Sequence, residues 1–235
     1  MNKVAIVKRA LLLLGSCLLL AWPGTLAAQE NLEAVLTRMD KAAADFHTAQ
    51  ADFSWDQYQA VVQETDVQKG TIYFRRLGDK LSMAADITVP DSKYLLFADS
   101  KMQLYQPKID QVTVYDPGKS KGDVESFLVL GFGGRGHDLA RTFEVKFEGA
   151  ETVEGLRTMK LELVPKSARM RASFDRILLW IDMARGVSVQ QQFFEPNSGN
   201  FRLVKYANIQ LNQKLNDDVF KLKTTKKTKY INPQE

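Results

Sequence analysis

The hydrophobic residues change their spacing near residue 49, from the period of a helix to the period of strands. Between residues 32 and 46 apolar side chains recur every three or four positions, and Arg38, Asp40 and Lys41 fall on the other side. This spacing predicts one amphipathic helix. Beyond it, apolar and polar residues alternate, which predicts strands. The alternation is clearest in Phe53–Trp55, Ile72–Phe74, Met83–Val89 and Met159–Leu163.

Short turns separate the alternating runs, so neighbouring strands are predicted to pair as antiparallel hairpins. The candidate turns are Glu64–Asp66, Leu77–Asp79, Pro90–Asp91, Gly149, Glu154–Gly155, Arg185–Gly186 and Asn197–Asn200. A run of strands with short turns favours one antiparallel sheet over βαβ units. The predicted fold class is therefore mainly β with some helix, in a single domain over residues 29–235.

A second, short helix interrupts the strands. It is predicted from Asp123, whose side chain suits a helix N-cap, to Leu130, because Gly131 suits a helix end. Its apolar residues are Val124, Phe127, Leu128 and Leu130.

Residues 1–28 have the layout of a secretory signal peptide. Three basic residues precede an uncharged stretch from Ala10 to Trp22, and small residues near Ala28 offer a cleavage site. The uncharged stretch is shorter than the roughly 20 apolar residues of a transmembrane helix. Export into the periplasm is therefore expected. An alternative is processing at Leu14–Cys17, which resembles a lipoprotein box and would leave a lipidated Cys17.

Removal of the signal peptide changes the charge and the chemistry of the chain. The net charge of +4 becomes +1, and Cys17, the single cysteine, is lost, so disulfides and thiolate chemistry drop out. The remaining basic excess lies in five lysines between residues 221 and 229, which are expected to belong to a solvated terminus. The slightly acidic body offers no basic face for a nucleic acid.

No catalytic or metal-binding pattern stands out. Gly131–Gly136 satisfies G-x-G-x-x-G, but too few residues follow for the helix of a dinucleotide site, so a mobile glycine loop is expected. Gly118–Gly122 satisfies G-x-S-x-G around Ser120 without a suitably placed histidine base. His47 and His137 lack partners at metal-ligand spacing. We expect no enzyme activity, no cofactor and no metal, and Ser120 hydrolysis stays a minor alternative.

The apolar residues allow two interpretations: all of them form a core, or some line a lipid pocket beneath loosely packed helices. Specific segments favour the second. Gly70–Arg76, Leu104–Pro107, Asp110–Val112, Leu163–Ser167 and Phe220–Leu222 resemble, in this order, the periplasmic outer-membrane lipoprotein carrier (Lol carrier) family. The resemblance covers roughly residues 30–231.

The resemblance implies an incomplete, half-open antiparallel β-barrel with a helical lid over a hydrophobic cavity. It also implies a monomeric periplasmic carrier that takes acylated lipoproteins or lipids from an inner-membrane transporter to an outer-membrane acceptor. The functional arginine of the family, which holds the lid when the cavity is empty, falls on Arg76. The ligand and lid contacts are then expected at Arg76, Phe74, Ile72, Phe127, Leu128 and Leu130. The alternative function is a periplasmic sensor domain of the same fold that detects mislocalised lipoproteins.

Overall fold

The computed structural model describes residues 23–78, 80–118 and 121–233. Cys17, Ser120 and most of the predicted signal peptide therefore lie outside the described residues. The domain boundaries at residues 28 and 29 stay a prediction.

Four helices occur within the described residues: α1 Pro23–Ala44, α2 Lys121–Leu128, α3 Gly136–Thr142 and α4 Ala168–Arg171. The strands are β1 Thr48–Gln59, β2 Glu64–Leu77, β3 Lys80–Val89, β4 Lys93–Ala98, β5 Lys101–Gln106, β6 Gln111–Tyr115, β7 Phe143–Val153, β8 Leu156–Pro165, β9 Arg176–Asp182, β10 Val187–Phe194, β11 Phe201–Leu211 and β12 Lys229–Ile231. Single turns of 3₁₀ helix follow β5 at Pro107–Ile109 and precede β12 at Asp217–Phe220.

The described strands form one sheet in the order β12-β6-β5-β4-β3-β2-β1-β11-β10-β9-β8-β7. Two meanders, β1–β6 and β7–β11, join through the antiparallel pair of β1 and β11. Only β12 pairs in parallel, with β6, among these strands. Because β12 and β7 form the two edges, the sheet is not closed into a barrel. The predicted fold class, an open antiparallel β fold with helices, is confirmed.

Some local predictions were wrong in their boundaries. Glu64–Asp66 belongs to β2, and the turn lies before it. Gly149 is not a turn but lies inside β7, where its φ of 110° accompanies a shift in register against β8. The second helix begins at Lys121 and ends at Leu128, so Leu130 lies beyond it. The two errors in the strands come from polar or glycine residues that a strand tolerates when pairing continues around them.

The glycine segment after α2 is closely packed rather than an open loop. Gly133 has a φ of 77°, and a Cβ there would lie 2.5 Å from the Phe46 ring. A Cβ on Gly136 would lie 2.4 Å from the Leu36 carbonyl oxygen. Glycine is therefore required at both positions because the segment passes directly against α1 and its end.

The C-terminal segment is docked, although a solvated terminus was expected. Phe220 is buried against Ala84 and Leu96 on the outer face of the sheet, and the Tyr94 hydroxyl donates to the Val219 carbonyl over 2.5 Å. The five lysines themselves are exposed. Leu215, Val219, Phe220 and Leu222 hold the backbone against the sheet, while the charged groups of the lysines stay in water.

The inner face of the sheet, opposite the docked C-terminal segment, has two unlike halves. Over β7–β9, which we call the filled half, α1 and α3 pack directly on the strands. Over β1–β5 with β10 and β11, which we call the hollow half, α2 and the segment after it cover a cavity. The buried core of the filled half consists of Val35, Leu36, Met39, Leu130, Leu139, Phe143, Leu161, Leu163, Met170, Ile177, Leu179 and Ile181.

Candidate functional site

The hollow half contains an apolar cavity of about 340 Å³. Strand alternation creates it, since every second residue of each strand points to the inner face. The strands contribute Phe53, Trp55, Ile72, Phe74, Met83, Ala85, Ile87, Leu95, Met102, Gln191, Phe193, Arg202, Val204 and Tyr206. The volume is at the lower end of the range of about 300–1,000 Å³ for ligand sites.

The roof of the cavity comes from α2 and the residues around it. Phe127 and Leu128 of α2 face the strands, and Gly131 follows them. Phe127 contacts Phe174 with ring centroids 4.9 Å apart, and Phe174 contacts Phe193 at 5.6 Å. Aromatic packing therefore closes the β10 side of the cavity, and these rings would have to move apart for the roof to open.

Phe132 ties the roof to the sheet on the opposite side of Gly131. Its ring is fully buried between Phe74, at a centroid distance of 5.1 Å, and Tyr206, also at 5.1 Å. Burial raises the pKa of the Tyr206 hydroxyl, so this side chain stays neutral in the wall of the cavity. Ring packing thus holds this part of the roof against the sheet.

Arg76, near the end of β2, joins the end of α1 to the segment after α2. Its guanidinium donates to the Ala43 carbonyl at the end of α1 over 3.2 Å and to the Gly133 carbonyl over 2.6 Å. The Phe46 ring centroid lies 5.3 Å away. Burial lowers the pKa of Arg76, yet an arginine remains protonated. A rigid donor fork on two carbonyls, one of them in the negative last turn of a helix, stabilises this closed arrangement.

His137 makes a second connection between helices, outside the cavity. Its Nδ1 lies 2.5 Å from Asp40 Oδ2 and its Nε2 lies 3.1 Å from Glu33 Oε1, so α3 is joined to α1. The hydrogen bond with Asp40 raises the pKa of His137. Partial burial tends to raise the pKa of Asp40, but the hydrogen bonds from His137 outweigh this effect and lower that pKa. The protonated imidazolium is therefore the form that this pair of carboxylates favours.

A polar cleft of about 570 Å³ lies on the other side of α2, between that helix, α3 and the β2–β3 turn. Arg76, Glu125, Arg135 and Asp138 line it together with Leu81 and Val129. The α2 segment thus has the apolar cavity beneath it and a charged, open cleft beside it. Movement of α2 would connect the two spaces.

The structure brings most of the predicted site residues together. Ile72, Phe74, Phe127 and Leu128 line the cavity, and Arg76 lines the adjoining cleft. Leu130 lies elsewhere, fully buried in the core of the filled half. Sequence reasoning did not single out Gln191, Arg202 and Tyr206. The sequence did contain a signal for Gln191 and Arg202. Each is a polar residue at an inward position of its strand, and the next inward residue of that strand is apolar.

Within residues 23–78, 80–118 and 121–233 no group of three or more His, Cys, Asp or Glu side chains is arranged to hold a metal ion. In the same part of the chain, none of the helices has the length and apolar character needed to cross a membrane.

A cavity beneath a helical roof, on an open antiparallel sheet, agrees with the sequence comparison. The family model described as outer membrane lipoprotein carrier protein LolA matches residues 44–223. The chain belongs to the LolA family. The match covers β1–β11 and all the residues that line the cavity. No curated protein matches the sequence at a significant level.

Two solved structures with TM-scores above 0.5 share the fold of this chain at low sequence identity. An uncharacterized conserved protein from Thermus thermophilus is 12% identical, with a TM-score of 0.55, and the match covers 88% of this LolA-family chain and 99% of that one. MucB is also 12% identical, with a TM-score of 0.53, over 82% of this chain and 63% of MucB. A LolA superfamily protein from Nitrosomonas europaea is 12% identical over 81% and 97% of the two chains, with a TM-score of 0.41.

Proposed function

We propose that this LolA-family protein is a periplasmic carrier that shields the acyl chains of lipoproteins or lipids and transfers them from the inner to the outer membrane. It acts by binding and release, without catalysis. Its partners are then an inner-membrane transporter that loads the cavity and an outer-membrane acceptor that empties it. The observation that carries the proposal is the apolar cavity under α2, in a chain of the LolA family.

The contrast between the two halves of the inner face supports a binding role. If the helices served only to complete a core, the hollow half would be as densely packed as the filled half. Instead its large apolar side chains, among them Phe53, Ile72 and Met83, surround empty space. Removing an acyl chain from water yields about 0.8 kcal/mol per buried CH₂, so a cavity that takes one or two chains supplies enough free energy for transport.

Opening of the lid is the second part of the proposal. The closed cavity is small for a diacyl ligand, so loading requires α2 to move outward. The two hydrogen bonds of Arg76 stabilise the closed form and are lost on opening. They offset part of the binding free energy, which keeps the affinity low enough for the cargo to be released.

The direct test is identification of whatever the exported protein carries. The protein is recovered from the periplasm under native conditions without detergent and is analysed by mass spectrometry. We expect acylated lipoprotein or lipid in the wild type. Neither lipid nor lipoprotein in repeated preparations would contradict the proposal.

The lid is tested by Arg76→Leu, with Arg75→Leu as the matched control. Arg75 is the neighbouring residue on the outer face, where it pairs with Asp217 at 2.5 Å and lies over Phe220. Loss of the closed form should make Arg76→Leu retain cargo that the wild type and Arg75→Leu release to outer-membrane vesicles. Unimpaired transfer by Arg76→Leu would remove this residue from the mechanism.

The sensor function considered from the sequence differs in its partners. A sensor would bind lipid and pass the signal to a membrane protein without releasing the lipid to an acceptor membrane. Transfer of radiolabelled lipoprotein from inner-membrane to outer-membrane vesicles separates the two functions, since a carrier transfers its cargo and a sensor retains it.

A further inference from the structure

Three nitrogen donors in the wall of the cavity have no hydrogen-bond acceptor among the described residues. They are Trp55 Nε1, Gln191 Nε2 and Arg202 Nε, and all three residues line the cavity. Gln191 is only 4% exposed. Buried donors are almost always paired, and an unpaired one destabilises the state that contains it. The mainly apolar wall therefore holds three donors that lack an acceptor while the roof is closed.

The pairing of the strands places these donors close together. In the register of the sheet, Gln191 of β10 and Trp55 of β1 both lie opposite Val204 of β11, one on each side. Arg202 precedes Val204 by two residues, so it points to the same face. With strands roughly 4.8 Å apart and about 6.7 Å between alternate residues, the three positions lie within about 10 Å of one another.

The roof covers the central amide directly. A Cβ on Gly131 would lie 2.7 Å from Gln191 Nε2, so the segment after α2 lies directly over this side chain. The three nitrogens have almost no solvent exposure in the closed form. Outward movement of α2 and Gly131 would uncover the Gln191 amide, and the acceptor would then come from the ligand that displaced the roof.

The opposite wall of the cavity has a different chemistry. Its residues on β2–β5 are all apolar, including Ile72, Met83, Leu95 and Met102. Arg202, by contrast, also borders a shallow surface cleft beside Glu195, near the β10–β11 turn. A ligand with one apolar and one oxygen-bearing end is therefore oriented, with its chains toward β2–β5 and its oxygens toward β10 and β11.

The charge at this end favours a neutral acceptor. Arg202 Nη2 already pairs with Glu195 Oε1 at 2.7 Å, so its charge is compensated. A carboxylate or phosphate buried beside it would compete with Glu195 and would lose its hydration. A neutral carbonyl oxygen accepts hydrogen bonds without that cost.

We infer that the cavity selects ligands whose acyl chains end in ester carbonyls, and that Trp55, Gln191 and Arg202 donate to those carbonyl oxygens once the roof has moved. This inference rests on the proposed function, because it assigns the chemistry of the ligand in the same cavity. The ester could belong to an acylated lipoprotein or to a free glycerolipid, since both present the same group.

The test compares two probes that differ in the carbonyl groups alone, 1,2-dioctanoylglycerol and 1,2-di-O-octylglycerol. Each displaces the apolar dye N-phenyl-1-naphthylamine from the exported protein. One hydrogen bond corresponds to about fivefold in affinity, so the ester should bind at least about fivefold more tightly than the ether. Equal affinities would overturn the inference and leave the proposed function standing. Failure of both probes to bind would contradict the proposed function and the inference with it.

Gln191→Met keeps the length of the side chain and removes its amide. Gln190→Met is the matched control, since Gln190 lies on the opposite face of the same strand. Gln191→Met should lose about fivefold in ester affinity with its ether affinity unchanged, which also shows that the variant is folded. Trp55→Phe should act in the same direction. An unchanged ester preference in both variants would overturn the assignment.

A third probe distinguishes the two sources of the ester. A lipopeptide that carries two octanoyl esters on a glyceryl-cysteine is compared with dioctanoylglycerol in the same assay. Tighter binding of the lipopeptide supports an ester of a lipoprotein, and tighter binding of dioctanoylglycerol supports a free glycerolipid. Both results support hydrogen bonding of Trp55, Gln191 and Arg202 to the ester carbonyls, provided that the corresponding ether analogue binds more weakly.

Discussion

The filled and hollow halves use the same sheet and nearly the same residue types, yet only one of them is packed solid. Over β7–β9, α1 inserts an apolar stripe directly between the strand side chains, and Leu161, Leu163 and Leu179 are completely buried. Over β1–β5 the short α2 inserts Phe127 and Leu128 and leaves a cavity. The comparison shows that helix length and position, rather than apolar content, decide where this fold leaves a cavity.

The largest expected effect comes from shortening one leucine in each half. Leu179→Ala in the filled half should lower the free energy of unfolding by about 2–5 kcal/mol, because a closed cavity forms where none existed. Leu95→Ala in the hollow half should cost about 1–2 kcal/mol, because that leucine already borders open space and only its own burial is lost. Urea unfolding of the two variants measures the difference. Equal losses would remove the distinction between the halves.

A second pair of variants adds side-chain volume instead of removing it, once in the closed core and once in the wall of the cavity. Ala85 lines the cavity, whereas Ala51 lies in the closed core nearby. Ala51→Leu should destabilise the protein by about 1–3 kcal/mol through overpacking. Ala85→Leu should change stability by less than about 1 kcal/mol, since there is space for the added methyl groups, but should weaken binding of N-phenyl-1-naphthylamine. Strong destabilisation by Ala85→Leu, or undiminished dye binding, would contradict the cavity.

The smallest expected effect concerns the link between α3 and α1 on the filled side. The pKa of His137 is raised by its hydrogen bond with Asp40, so its contribution is complete below the unfolded pKa of about 6.5 and is lost as the pH rises through the folded value. Facing His137 are Glu33 and Asp40 of α1, with Arg135 and Asp138 adjacent in the chain.

We therefore expect the Tm of the wild type to exceed that of His137→Asn by more at pH 5.5 than at pH 8.5. His47→Asn is the matched control, because His47 lies outside the contact between α1 and α3. Scanning calorimetry at both pH values measures the difference. A Tm gap that is the same at both pH values would show that the protonated imidazole contributes nothing.

Much of this contrast could be predicted from the sequence, and the exceptions have physical reasons. Period-two alternation located the inward residues of β1–β3 and β8, and the apolar stripe of α1 was visible from Leu32 onward. Leu130 was grouped with Phe127 and Leu128 because all three are apolar near one helix. The helix ends at Leu128, however, and Leu130 turns into the core of the filled half.

The proximity of the unpaired donors could not be predicted, because it depends on pairing between distant strands. Gln191 and Trp55 come together only through their shared neighbour Val204 on β11. The docked C-terminal segment was missed for a related reason. Its lysines indicated solvent, while the decisive contacts of Phe220 lie on strands more than 120 residues earlier.

The most direct test of the account asks whether an acyl chain enters the cavity of the hollow half. Trp55 lines that cavity, and Trp180 lies on the outer face of β9 beside Lys160, so the two tryptophans distinguish binding in the cavity from binding on the outside of the sheet. A lipid with brominated acyl chains quenches a tryptophan that it contacts. With the exported protein, we expect quenching that persists in Trp180→Phe and disappears in Trp55→Phe. Quenching that survives in Trp55→Phe and is lost in Trp180→Phe would contradict the hollow half as the ligand site.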